Sequence, residues 1–304
     1  MTLLADSVRP TAREYGDAAD VTVVMVTRNR RRQLLATLDR LRADSGAAAL
    51  IVVDNGSTDG SADAVNATFP DVQVIRSDRN LGAVGRTVGV EAARTAYVAF
   101  ADDDSWWAPG ALATAERCLQ AAPRLGLLAA RLLVGPQERL DPACVAMASS
   151  PLPPRTDLPG PTVLGFVACG SVVRRSAYLQ VGGFHRLLFF LGEESLLAQD
   201  LAAAGWGVAY VDKVVAHHHP GANSDRDGRK QLEVRNALLA ALLRRPAPMV
   251  ARLLLALLPR LASEPQVRGG VTDALRRLPS ALAQRHPLPA HVEREVRLLE
   301  AAGA

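Results

Sequence analysis

Cysteine and aromatic residues are both scarce in this chain of 304 residues. The three cysteines, Cys118, Cys144 and Cys169, make no CxxC and no even-numbered framework, which excludes a disulfide scaffold. Each is expected to be a small buried hydrophobe in a reduced, intracellular setting. Aromatic residues amount to 4% and do not interleave with arginine, which argues against a stacking platform for nucleic acid. No stretch of about 18 uncharged apolar residues occurs that would span a bilayer. The nearest, "PMVARLLLALLPRLA", is interrupted by Arg252, Pro259 and Arg260. The opening "MTLLADSVRPTAREYGDAAD" has neither a basic segment nor a long apolar one, so no secretory or transit leader is expected. The expectation is a cytoplasmic protein, with peripheral contact at the inner membrane face left open.

What is present is the composition of a globular protein, 49% apolar and 22% charged, long enough for one large domain or a core domain with an extension. The net charge of +4 is unevenly placed. From residue 231 onward 11 arginines face 6 acids, a balance of +5, so the preceding 230 residues sum to −1. A basic tail on a near-neutral body suits phosphates or an anionic surface, and equally a solvated helical face.

Hydrophobic spacing alternates strand with helix through the first third. "VTVVMVT" (21–27), "ALIVVD", "VQVIRS" and "AYVAF" read as strands rich in β-branched or apolar residues. Between them, "RRQLLATLDRLRAD" carries Leu34, Leu35, Leu38 and Leu41 at helical spacing, residues 61–68 look helical, and "NLGAVGRTVGVEAART" leads a loop into a helix. Such alternation predicts an α/β fold with a mainly parallel sheet covered on both faces, where ligands gather beyond the carboxyl ends of the strands. Further on, "SSPLPPRTDLPGP" is a Pro-rich loop, "TVLGFVACGSVVRR" reads as two strand pieces, "VGGF" as a turn, and "GVAYVDKVVAHHHP" as a strand. The remainder is helical, with breaks expected at Pro246, Pro259, Pro279 and Pro287. No internal repeat is present.

Polar residues concentrate at the strand ends. "FADDDSWW" sets Asp102, Asp103 and Asp104 after an apolar strand, where like charges repel and burial is costly. In extended geometry Asp102 and Asp104 share a face, a hard-oxygen pair suited to Mg²⁺ or Mn²⁺, although an acidic turn before a helix reads equally well. "DNGSTDG" offers Asp54 and Asn55 to a base or ribose, or is an ordinary strand-to-helix turn. "HHHP" turns His217 and His219 one way and His218 the other, without the spacing of a zinc site. "GEES" puts Glu193 and Glu194 at a helix start, either as dipole-stabilising acids or as a proton acceptor facing a pocket.

The ordered set "VTVVMVTRNR", "VVDNGSTDGS", "RNLGAVGRTVGV", "VAFADDDSWWAPGAL", "VGGF…GEES" and "VVAHHH" resembles the inverting family 2 glycosyltransferases of the GT-A fold, over residues 20 to 240. The resemblance implies a catalytic body at 20–230, with a nucleotide-binding half to about 105 and an acceptor half beyond, an N-terminal extension at 1–19 and a helical region at 231–304. It implies Thr27, Arg28, Asn29, Asp54 and Asn55 around the nucleotide, and Asn80, Gly82 and Arg86 in the donor loop. Asp102, Asp103 and Asp104 match a DxD motif. Asp104 is the firmest metal ligand, Asp102 a ligand or ribose contact, His218 the preferred third ligand and His217 its alternative. Glu194 matches the catalytic base, with Glu193 open because the motif reads "GEES" rather than Gly-Glu-Asp. Gly170 and Trp107 would lie on the acceptor side.

The implied activity is metal-assisted transfer, with Mn²⁺ or Mg²⁺, of one sugar from a nucleotide-diphosphate sugar to a hydroxyl or amine. The acceptor would be a small molecule, a peptide or a lipid-linked compound. Thr87 stands where relatives often carry Asn. "QLEVRN" departs from the QxxRW of processive relatives, and its Arg235 is a helix-surface residue or a diphosphate contact. A non-catalytic nucleotide-sugar-binding module is the alternative. A nucleotidyltransferase is less favoured, because "TRNRRRQ" lacks a Gly-rich phosphate loop. For the C-terminal helices, packing on the catalytic body or a second subunit is preferred over lying on a membrane.

Overall fold

The structure, a computed structural model, describes residues 20–44, 48–221 and 226–303. The expected N-terminal extension lies outside the described residues. Strands β1 (Val21–Thr27), β2 (Ala49–Asp54), β3 (Gln73–Arg76) and β4 (Tyr97–Asp102) form the first half of the sheet. Helices α1 (Arg31–Asp44), α2 (Ser61–Thr68) and α3 (Val84–Ala92) connect them. β1 and β4 are buried almost throughout because both faces of a parallel strand are covered. β1 lies between β2 and β4, and its register sets Thr27 opposite Asp54 and Val26 opposite Asp102. Three strand ends are thereby brought level on one edge.

The second half contains β5 (Ser105–Trp107), α4 (Ala111–Ala121), β6 (Leu125–Val134), β7 (Arg139–Leu140), α5 (Pro142–Ala148), β8 (Ser171–Arg174), α6 (Arg175–Gln180), α7 (Glu193–Ala203) and β9 (Gly207–His218). The sheet order is β3-β2-β1-β4-β8-β6-β9-β5, with β7 on β6. Parallel pairing covers β1 to β4 and returns between β6 and β9, while β8, β7 and β5 pair antiparallel. The sheet is therefore mixed beyond β4. β9 slips register against β6 between Val211 and Val215, and its far end pairs with β5, setting His218 opposite Ser105. A bulged strand bends and re-aims its side chains. That bend carries the histidines back to the end of β4.

Two expected strand pieces at 162–174 reduce to one. Residues 168–170 form a 3-10 turn closed by Ser171 Oγ donating to Ala168 O (2.9 Å), and only β8 follows as a strand. Before it, Thr162 makes an isolated bridge to Ala209.

Helices α8 (Arg226–Arg244), α9 (Ala247–Ser263), α10 (Pro265–Arg276), α11 (Leu278–Ala283) and α12 (Ala290–Ala302) complete the chain. The expected division at 230/231 falls inside α8. Pro259 does not break α9 but sits within it. A helix-interior proline costs about 3 kcal/mol, and the buried Leu257 two residues away, with Leu253 and Leu261 packed on the same cluster, offsets it. That second core joins Leu188 and Leu196 of the body to Leu238, Leu239, Leu243 and Val267, and a third joins Leu152 and Leu164 to Leu288, Val292 and Val296. Each fully buried leucine contributes about 1.5–3 kcal/mol, against about 0–1 kcal/mol for an exposed ion pair. Leucine burial therefore fastens these helices to the body, together with the largely buried Arg244–Asp200 pair that joins α8 to α7.

Candidate active site

β4 ends at Asp102, and Asp103 and Asp104 occupy a turn before β5, so strand alternation does not govern them. The turn closes because Asp102 N donates to Ser105 Oγ (2.7 Å). Each carboxylate has its own positive or hydroxyl partner. Asp102 is paired with Arg86. Asp103 accepts from Thr27 Oγ1 (2.8 Å) and Arg30 Nη1 (3.3 Å). Asp104 accepts from Arg30 (3.0 Å), and one of its oxygens lies 3.3 Å from His218 Nε2. Repulsion among the three acids is offset residue by residue. Burial pushes Asp103 up to about 6 despite Thr27 and Arg30. Burial also acts on Asp104, but the hydrogen bond and charge of His218, with Arg30, outweigh it and hold that carboxyl below its usual range. His218 is raised in turn, because Asp104 outweighs the burial that opposes its charge.

Arg30 escaped the sequence reading, which favoured its neighbour Arg28. Arg28 is exposed. Asn29, in left-handed geometry (φ 54°), ties the first loop to the second: its N–H donates to Ser57 Oγ (2.9 Å) and its Oδ1 accepts from Thr58 N (2.8 Å). That places Arg30 over the acids. Helical numbering from "RRQ" onward would have put Arg30 one step before α1, the only signal for it.

Asp54 is buried and accepts from Ser57 N (2.9 Å). Asn55 holds the donor loop, accepting from Leu81 N (2.9 Å) and donating to Gly82 O (3.0 Å), while Asn80 Oδ1 accepts from Gly82 N (2.9 Å). Gly82 has φ +61°, and a Cβ there would collide with the Phe189 carbonyl. Only glycine meets both conditions. Ala83 N donates to Phe189 O (2.7 Å), so the donor loop is bonded to the segment that precedes α7.

At the start of α7, Glu193 is buried at 2% exposure and Glu194 is partly exposed. Burial raises both, Glu194 further through the like charge of Glu193. Glu193 Oε2 is buried without a hydrogen-bond partner, as is Arg86 Nε. The buried Arg86 feels Asp102 first, then Glu194 and Glu193, and its charge is favoured by all three. One guanidinium thus links the DxD acid to the glutamate pair. The segment ahead of α7 is held from outside. Asn236 Nδ2 donates to the carbonyls of Leu188 (3.0 Å), Phe190 (2.6 Å) and Leu191 (2.5 Å), and Arg235 to that of Leu188 (2.7 Å). Arg235 is buried rather than on the helix surface, and its guanidinium is bonded to Leu188 O (2.7 Å) and Asn236 Oδ1 (2.9 Å).

Trp107 also moves off the acceptor side. β5 alternates, Ser105 and Trp107 face the core, and Trp107 is fully buried. Trp106 is the accessible ring, stacked on His217 (5.4 Å), edge-on to His219 (4.6 Å) and under Arg40 (4.3 Å). His217 lies 3.5 Å from Glu138. Gly170 is buried in the 3-10 turn, next to Cys169. Ligand atoms of Asp102, Cys169 and His218 lie within 4.8 Å of one another. A carboxylate, a thiol and an imidazole at that spacing fit a divalent ion.

Residues 22–182 match the sequence profile of Glycosyl transferase family 2. The chain is 30% identical over 217 residues to the N-acetylglucosaminyl-diphospho-decaprenol L-rhamnosyltransferase of Mycobacterium tuberculosis, covering 60% of this chain and 70% of that one. Its fold is similar to the mannosyltransferase PcManGT from Pyrobaculum calidifontis, solved in complex with GDP-Man and Mn²⁺, at a TM-score of 0.57 and 20% identity over 96% of this chain and 91% of that one. S. aureus TarS 1-349, in complex with UDP-GlcNAc, gives 0.59 at 14% identity over 88% of this chain and 84% of that one. With its profile match spanning more than half the chain and its sheet arranged as in these transferases, the chain belongs to glycosyl transferase family 2 and is a glycosyltransferase of the GT-A fold.

Proposed function

We propose that the chain transfers a single sugar from a nucleotide-diphosphate sugar to a lipid-linked acceptor, with inversion and with a divalent metal. The observation that carries the reading is the cluster at the strand ends, where Asp102, paired with the buried Arg86, lies within 4.8 Å of His218, and His218 lies 3.3 Å from Asp104. Thr27, Asp54 and Asn55 on the level strand ends would hold the nucleoside, and Asp102, Asp104 and His218 would hold the metal. When bound, the metal supplies positive charge to the diphosphate as it departs. His218 is favoured because its Nε2 lies 3.3 Å from Asp104 and within ligand spacing of Asp102.

Glu194 accepts the acceptor's hydroxyl proton. The acceptor oxygen bonds to the anomeric carbon from the face opposite the diphosphate, and the electron pair of the broken bond leaves on the diphosphate oxygen. Burial makes Glu194 a better base than a solvated glutamate, and Arg86 keeps it ionisable. Glu193, the more buried of the two, sets that balance through its charge.

Three features support a lipid-linked acceptor. The Mycobacterium tuberculosis relative is named for a diphospho-decaprenol substrate. A cavity of about 440 Å³, lined by the apolar Met147, Val163, Phe166 and Leu299 and by the polar Gln199, Arg245 and Glu300, includes Ser195, the residue after Glu194. Leu254, Leu255 and Leu258 on α9 are exposed at 43%, 65% and 56%, although no helix among the described residues is long and apolar enough to cross a membrane. The test is transfer from a panel of nucleotide-sugars to polyprenyl-diphosphate and soluble acceptors, with Mn²⁺ and with EDTA, with the product anomer read by NMR. Full turnover in EDTA would sink the metal reading, and retention would sink Glu194 as the base.

A further inference from the structure

We propose that Cys169 is a metal ligand, so that this site binds its divalent ion through one sulfur as well as oxygen and nitrogen and favours thiophilic ions over Mg²⁺. The proposal rests on the metal reading of the site given above. Its basis is the placement of the three thiols. Cys118 is buried in the main apolar core, and the Cys144 sulfur on α5 is spent on the backbone of β6, accepting from Leu132 N (3.2 Å) and facing Ala130 O (3.8 Å). Cys169 alone brings its sulfur to a carboxylate and an imidazole, all three donor atoms within 4.8 Å of one another. Among the described residues this is the one group of three or more His, Cys, Asp or Glu donors at ligand spacing.

The fold presents the thiol deliberately. The 3-10 turn at 168–170 is closed by Ser171, and the buried Ser105 hydroxyl that caps the Asp102 turn lies within reach of the sulfur. Cys169 is 2% exposed, so its sulfur meets the cluster from the protein side. The open side faces the edge where Asp102 and His218 are partly exposed. An apolar residue of similar size would fill the same space without placing a soft donor against two hard ones.

The chemistry follows from ligand softness. On binding, the thiol proton passes to solvent and a sulfur–metal bond forms, with no redox change. A set of carboxylate oxygens, one imidazole nitrogen and one thiolate suits Zn²⁺, Co²⁺ or Cd²⁺, tolerates Mn²⁺, and is poor for Mg²⁺, which prefers oxygen and retained water. The site would therefore discriminate between Mn²⁺ and Mg²⁺ more sharply than carboxylates and imidazole alone.

The experiment is a titration of the full-length, nucleotide-free protein with Cd²⁺, reading the thiolate-to-cadmium charge-transfer band, alongside Zn²⁺ absorption spectroscopy. Wild type, Cys169→Ser, Cys169→Ala and His218→Ala are compared, each checked for folding by its melting temperature in EDTA. The expected result is one band per chain in the wild type, absent from both Cys169 variants, and a single sulfur at about 2.3 Å from zinc. The ratio of Mn²⁺ to Mg²⁺ affinity should fall at least tenfold in Cys169→Ser. Metal binding by the wild type without the band, or a band that survives in Cys169→Ala, overturns the sulfur ligand and leaves the metal reading standing. Absence of any stoichiometric binding of Cd²⁺, Zn²⁺ or Mn²⁺, with or without a nucleoside diphosphate, overturns both.

Discussion

The end of β4 and the start of α7 both present acids to the same arginine, but they are built in opposite ways. Asp102, Asp103 and Asp104 close a strand whose register with β1 is set by the sheet, and their partners Thr27 and Arg30 come from the adjoining strand end. Glu193 and Glu194 follow a segment in which Phe189, Leu191 and Gly192 all have positive φ. Non-glycine residues hold that conformation only when the surroundings over-determine it. Here the surroundings are Asn236 and Arg235, more than 40 residues later in the chain. The metal-side acids are placed by the sheet, whereas the glutamates are placed by the C-terminal helices.

Breaking either end chemically should have the largest effect. Glu194→Gln is expected to lower kcat by about 10²–10⁴-fold, the span of a lost general base, with the melting temperature unchanged or raised because a desolvated charge is removed. Asp104→Ala is expected to lower kcat/KM by on the order of a hundredfold or more. Steady-state transfer assays check both, and Glu194→Gln retaining wild-type turnover would transfer the base role to Glu193.

Breaking only the support separates the two regions. Asn236→Ala leaves the carbonyls of Phe190 and Leu191 short of a donor, while Leu188 keeps Arg235, at a cost of about 1–3 kcal/mol. Because the sheet-borne acids do not depend on it, kcat should fall more than nucleotide affinity, the latter measured by calorimetry. Equal losses in both would show that the Ala83–Phe189 bond couples the regions more tightly than their construction suggests. Gly82→Ala probes that bond from the other side and should raise the donor KM, since the new methyl group meets the Phe189 carbonyl.

A pH profile sharpens the comparison further. Burial, and then the charge of Glu193, hold Glu194 above the ordinary carboxylate range. Its ionised fraction therefore falls as pH drops through that raised value, and the acidic limb of kcat/KM should lie at higher pH than for a solvated glutamate. Glu193→Gln removes the like charge, lowers the pKa of Glu194 and shifts the limb to lower pH. A shift in the opposite direction would mean that Glu193 stabilises the ionised partner.

The same contrast explains what was legible beforehand. β1 to β4, their helices and the level strand ends follow from apolar runs and turn residues within short windows. The acids, along with Asp54 and Asn55, could be named from those strand ends, whereas Thr27 and the preference for His218 follow only from the family resemblance. Arg30 was missed because its direction is set by Asn29 in left-handed geometry, which spacing does not encode. Trp107 was misplaced because a three-residue strand gives too little alternation to orient it, and only pairing with β9 decides that Trp106 faces outward. Arg235 reads as helix surface and Asn236 carries no signal, since nothing local announces three distant carbonyls. Cys169 reads only as a small buried hydrophobe, because Asp102 and His218 lie 49 or more residues away on either side.

The smallest effect on the folded protein is expected at α9. Leu255 is the most exposed of its three outward leucines, and surface changes of this kind usually move stability by no more than about 0.5 kcal/mol. Leu255→Glu should therefore leave the melting temperature and transfer to a soluble acceptor unchanged. Burying an apolar side chain in the interface is nonetheless worth about 1.5–3 kcal/mol, and Arg252 beside it on α9 would favour anionic headgroups. Flotation with anionic vesicles should then weaken by roughly tenfold or more in Leu255→Glu, together with transfer to a lipid-linked acceptor in those vesicles. Flotation unaffected by the change would confine α9 to its inner face, where Leu257 packs on the second core, and leave the cavity beside Ser195 to account for any lipid preference alone.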